Sequence, residues 1–138
     1  MSQRILVPFD GSDPATTALD EAINNDDGEI IALNVIDPGE SSHMAQGSAA
    51  ENLHEQARED AQELLAEAKT RAEQRDVTLT TAIETGQPAN VIIEYAEAND
   101  INHIVIGTHG RSGVSKILVG SVAENVVQSS PVTVTIAR

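Results

Sequence analysis

The sequence predicts an α/β fold: an open, five-stranded parallel sheet with helices on both faces. Three observations lead there. Strand-like apolar runs alternate with helix-period stretches five times along the 138 residues. Two of the runs, "RILVPF" and "IIALNVI", are almost continuously apolar, the pattern of strands covered on both faces. The stretches between runs repeat apolar residues every three or four positions, so each has one face that must pack on something flat. A single domain spanning residues 1–138 can bury roughly two thirds of its unfolded surface, enough for a core without staples.

The elements follow in order. "RILVPF" is the first strand, and in "DGSDP" Asp13 is expected to cap a helix whose first position suits Pro14. Ala15, Ala18, Leu19, Ala22 and Ile23 then lie on one helical face until "NNDDGE" ends it. "IIALNVI" is the second strand, and "DPGESSHMAQGS" after it is a surface loop placed to cover whatever binds beyond that strand. Ser48 and Glu51 form a capping-box pattern that opens the longest helix, with Leu53, Ala57, Ala61, Leu64, Leu65, Ala68 and Ala72 on its apolar face. "VTLTTAIE" alternates as a third strand, Pro88 opens the next helix, and "HIVIG" is the fourth strand. "SVAENVVQSS" is the last helix, stopped by Pro131, and "VTVTIA" is the fifth strand.

Composition removes several chemistries. There is no cysteine, hence no disulfide, thiolate metal site or cysteine nucleophile. No stretch has the apolar length of a membrane span, and the first residues lack the features of a signal peptide, so a cytoplasmic protein is expected. With 22 acidic against 8 basic residues the net charge is -14, which makes nucleic acid and anionic membranes poor partners. Such an acidic surface with only two lysines, Lys69 and Lys116, is the pattern of a halophilic, salt-adapted protein, whose stability should rise as salt screens self-repulsion.

One segment departs from this acidity. From Ile101 to Ala123 there is no Asp or Glu, where an even spread of the 22 would place about four. Within it Gly107, Gly110 and Gly120 are spaced G-x2-G-x9-G, with Ser121 next and a helix following. Glycines admit a ligand to the backbone N–H groups, and a helix start adds unpaired donors and a positive dipole end, so the segment reads as an anion cradle with Arg111 as a phosphate contact. Local structure offers each residue an alternative role. Ser121 could cap its own helix, Gly107 could serve close packing at a strand end, and Asp10 could form a turn before Gly11. The spacing is neither the P-loop pattern nor the dinucleotide-binding turn.

"GTHGRSGVSKILVGSVAENVV", with "ILVPFDGSDPA" and "ALNVID", resembles the universal stress protein family in its ATP-binding branch, and the likeness covers essentially the whole chain. The family's nucleotide motif, G-x2-G-x9-G-[ST], is matched by Gly107, Gly110, Gly120 and Ser121. The resemblance implies a Rossmann-like sheet of strand order 3-2-1-4-5, related to the adenine nucleotide alpha-hydrolases. It implies that the glycine loop wraps the phosphates of ATP or another adenine nucleotide, with Pro8, Asp10 and Val35 holding the adenosine. It also implies a homodimer paired through "PVTVTIA", and a stress-response role exercised through a protein partner.

Enzymatic turnover is not expected beyond slow ATP hydrolysis. His109 is the one titratable side chain of the loop, and His43, His54 and His103 are scattered without metal-site spacing. A magnesium or manganese ion would be held mainly by the phosphates and water. Two alternatives are a nucleotide-free dimeric adaptor of the same family, against which the intact motif speaks, and an adenylating enzyme, whose serine-glycine-rich loop or HxGH pair the chain lacks.

Overall fold

A computed structural model describes residues 3–25, 28–38, 48–108 and 120–138, with the side chains of 48–51 left aside. The elements are β1 (Arg4–Pro8), α1 (Asp13–Asn25), β2 (Glu29–Ile36), α2 (Ser48–Glu73), β3 (Leu79–Thr85), α3 (Pro88–Ala98), β4 (His103–Gly107), α4 (Ser121–Ser129) and β5 (Thr133–Ala137). All strand pairs are parallel and their order is β3-β2-β1-β4-β5. The expected fold class and strand order are both found.

The sheet is buried on both faces, which is why β1 and β2 are apolar without alternation. Ile5, Val7, Ile30, Ala32 and Val105 point to one side, where α1 and α2 cover them with Leu19, Leu65 and a row of alanines. Leu6, Ile31, Leu33, Ile104 and Ile106 point to the other, against Ile92 and Ala96 of α3 and Ala123 and Val126 of α4. The five residues expected on the buried face of α1 are the five found there. Because the helix after β1 lies on one face and the helix after β4 on the other, while β1 and β4 are neighbours, their connections diverge and leave a crevice at the carboxyl end of the sheet.

Two local expectations are corrected. Ser12, not Asp13, caps α1: its Oγ accepts from the Ala15 N–H at 3.3 Å and its carbonyl accepts from Thr16. A residue one position earlier serves better because Asp13 already has helical geometry, so that it and Pro14 sit in the first turn, where acid and proline are both favourable. Leu53 of α2 is exposed, whereas Ala61, Leu65, Ala68 and Ala72 are buried. The early turns of this 26-residue helix keep the apolar period without a partner among the described residues to bury it, and the Ser48 and Glu51 side chains lie outside the described residues.

The ends of α2 and α3 are closed by left-handed residues. Asp76 and Asp100 have φ of 58° and 55°, and the next N–H groups, of Val77 and Ile101, return to the carbonyls of Ala72 and Ala96. This is a Schellman closure with aspartate where glycine is usual.

Candidate functional site at the carboxyl end of the sheet

The crevice is floored by the ends of β1, β2 and β4. Pro8 is level with Leu33, and continuing that register sets Asp10 opposite Val35. Phe9 donates its N–H to the Leu33 carbonyl at 2.8 Å and receives the Asn34 side-chain Nδ2 on its own carbonyl at 2.9 Å. Asn34 is the buried polar side chain among the described residues, and it ties the β1 exit to β2 where the regular ladder ends. Sequence reasoning missed this residue, although a lone amide inside the apolar "IIALNVI" was the available signal.

Asp10 performs the turn role that local chemistry offers. Its Oδ1 accepts from the Ser12 N–H at 3.0 Å, and Gly11 has φ of 81°, which the turn requires and an L side chain resists. The side chain is half-buried at the rim of the crevice. Pro8 and Val35 are half-buried too, with Val35 packed on the side of the sheet covered by α3 and α4.

Gly107 ends β4 and is needed for packing. A Cβ there would lie 2.5 Å from the Pro14 carbonyl carbon and 2.6 Å from its oxygen, so the glycine lets the start of α1 sit directly on β4. From Thr108 the chain leaves the sheet, and at Gly120 it returns, where the Gly120 N–H donates to the Thr108 carbonyl. That bond brings the start of α4 beside the end of β4. Gly110, Arg111, His109 and Lys116 fall outside the described residues.

Gly120, not Ser121, is the N-cap of α4, with φ -64° and ψ 156° and no side-chain cap bond; Ser121 is the first helical residue and is exposed. An N-cap without a side chain leaves the first-turn N–H groups to be satisfied from outside the helix, and this positive dipole end starts beside the end of β4. The structure thus gathers Pro8, Asp10, Val35, Gly107, Gly120 and Ser121 at one end of the sheet. Such a site suits an anionic group at the helix start and a polar, planar or hydroxylated group beside Asp10. Among the described residues, no three His, Cys, Asp or Glu side chains converge as metal ligands, and no helix is long and apolar enough to cross a membrane.

A sequence model described as the universal stress protein family matches residues 1–138. A universal stress protein of Methanocaldococcus jannaschii, MJ0531, is 35% identical over 99% of this chain and 82% of its own length. The solved structure of universal stress protein UspA from Lactobacillus plantarum aligns with a TM-score of 0.86 at 27% identity, covering 99% of this chain and 97% of that one. A family protein of Arabidopsis thaliana, solved with AMP bound, aligns with a TM-score of 0.72 at 17% identity over 98% of this chain and 90% of its own, a likeness of fold.

Proposed function

Because the chain belongs to the universal stress protein family, we propose that it binds an adenine nucleotide, ATP foremost, and that occupancy controls a surface offered to a protein partner in a stress response. Family membership sets the expectation, and the site must carry it. The observation that does so is the start of α4, whose N-cap Gly120 has no side chain to cap it, held beside β4 by the Thr108–Gly120 bond at the end of the carboxylate-free stretch 101–123 in a protein of net charge -14. Phosphates there meet main-chain donors at a helix start whose first turn also carries Glu124. The relative solved with AMP is consistent with an adenine ligand in this fold.

In this proposal the phosphates take the first-turn N–H groups of α4 and the loop glycines, Gly107, Gly110 and Gly120, with Ser121 and Arg111 adding side-chain donors. Asp10 faces the ribose or the base amine, and Pro8 and Val35 flank the adenosine. A magnesium or manganese ion would take its ligands mainly from phosphate and water. A few charge-assisted hydrogen bonds of about 1.5–3 kcal/mol each suffice, after ordering costs, for the roughly -8 kcal/mol of micromolar binding. The proposed assembly is a cytoplasmic homodimer paired through β5, whose Val134 and Ile136 are half-buried and which, among the described residues, pairs with β4 alone.

The test is calorimetry with ATP and AMP, with and without magnesium, beside mass spectrometry of any nucleotide carried through purification. Gly120→Leu and Gly110→Leu should each abolish ATP binding while light scattering still reports a dimer. Undiminished affinity in both variants would remove the cradle. A wild-type protein that neither carries nor binds nucleotide would leave the dimeric adaptor as the reading.

A further inference from the structure

The face of the sheet covered by α1 and α2 carries a second asymmetry. Helix α2 and its exit turn hold four of the eight basic residues, Arg58, Lys69, Arg71 and Arg75, and sort their charge between two grooves. Toward α1, Arg71 pairs with Asp20 at 3.4 Å, Arg75 donates to Asn24, and Glu63 and Glu67 line the intervening groove. Toward β3 lies a second, shallow groove of about 380 Å³, lined by Arg58, Gln62, Leu65, Lys69, Thr81 and Ile83, with no carboxylate among its lining. Of its five α2 residues, Arg58, Gln62, Leu65 and Lys69 recur at i, i+4, i+7 and i+11, one straight stripe on a helix, with Ala66 beside it.

The other wall of that groove is an unpaired strand. Among the described residues β3 is the end strand of the sheet and pairs with β2 alone, so a row of its backbone donors and acceptors lies at the sheet edge beside the two cations. Leu79 and Ile83 pack on the α2 side, so Thr81 shares that face, whereas Glu84 alternates to the α3 side with Ala82.

We propose that the β3 edge and the Arg58–Lys69 stripe together form a docking surface for an extended, acidic peptide segment of another protein, which adds to the sheet as a sixth strand. Edge pairing supplies the main-chain bonds and the cations select the side chains. Charge chooses this occupant over a second copy. The groove-facing residues of β3 are Leu79, Thr81, Ile83 and Thr85, so a second β3 would bring no carboxylate to the stripe. Eleven helical residues span about 16 Å and four strand residues about 13 Å, so acids four apart on one face of the segment are within reach of both long side chains.

The test uses a fluorescein-labelled peptide, TEVTVEVT, and its charge-swapped control, TKVTVKVT, titrated into the whole protein at low ionic strength and followed by anisotropy and amide hydrogen exchange. The acidic peptide should bind and protect amides of Leu79–Thr85, and the lysine peptide should bind at least about tenfold more weakly. Arg58→Glu with Lys69→Glu should reverse that preference, while Arg75→Glu should leave it intact. No binding, protection at β5 instead, or equal affinity for the two peptides would each overturn the proposal, as would light scattering showing self-association through β3.

Discussion

The two ends of the sheet are built on opposite plans. At the amino end Arg4 is a hub: its N–H donates to Asn102 Oδ1, its carbonyl accepts from the Asn102 N–H, its Nε donates to the Asn99 carbonyl at 2.9 Å, and its Nη1 meets Glu29 at 2.6 Å. Helix exits there are sealed by Asp76 and Asp100, so the chain's last carbonyls are satisfied internally. At the carboxyl end α4 starts without a side-chain cap, Asp10 spends a carboxylate oxygen on a turn, and Asn34 holds the β1 exit in place of a ladder bond. One end is closed by its own side chains. The other starts a helix at a glycine with no side chain to cap it, at the end of the sheet where parallel folds place their ligand sites.

The largest effect should come from Gly107→Leu. With Pro14 backbone atoms inside 3 Å of the new Cβ, the strand and α1 must separate, and a loss above about 3 kcal/mol or outright failure to fold is expected in urea unfolding. Full stability would show that α1 can slide, and that the carboxyl end is softer than its packing suggests.

Arg4→Ala tests the opposite end and should cost about 1–2 kcal/mol. The loss comes mainly from the Nε bond to the Asn99 carbonyl, because the two bonds to Asn102 are made by the Arg4 main chain and survive, and the Arg4–Glu29 pair is partly exposed and worth little. Glu29→Gln should therefore change stability by less than about 0.5 kcal/mol, and nucleotide affinity should be unchanged in both variants. Equal losses from the two would assign the hub to the ion pair instead.

Salt should raise the melting temperature of the whole protein by screening its -14 charge, and a flat or falling profile from low to molar salt would remove the halophilic reading.

The smallest effect concerns Tyr95, the sole tyrosine. Burial raises its pKa, Arg4 opposes that rise, and Glu84 and Glu29 reinforce it. The neutral phenol is thus favoured in the fold, so its contribution is complete below the ordinary pKa of about 10 and is lost as pH climbs through the raised value. Titration of the phenolate absorbance should give a midpoint above that of the unfolded chain, and Tyr95→Phe should flatten the alkaline decline in stability. A midpoint at or below the unfolded one would show that Arg4 dominates the local field.

Much of this was legible beforehand for reasons of period. The α1 face, the two-sided burial of β1 and β2, and Pro88 opening α3 are set by residues a few positions apart. The site was legible to the extent that a glycine and serine spacing can mark it. What that spacing could not distinguish is why each glycine is there: Gly107 serves contact with Pro14, and Gly120 serves as a cap that brings the start of α4 beside the end of β4. Ser12 displaced Asp13 as cap because two adjacent capping residues look alike until the first helical turn is placed.

The chain's own order of residues therefore determined the element types, the parallel class and the acid-free segment, because these follow from side-chain period and charge along a short stretch. Which strands are neighbours in three dimensions decided the rest. Only the folded sheet brings Arg4 to Asn99 and Asn102, Asn34 to Phe9 and Gly107 to Pro14, since contacts between distant residues depend on the alignment of whole elements and leave no local periodicity to read.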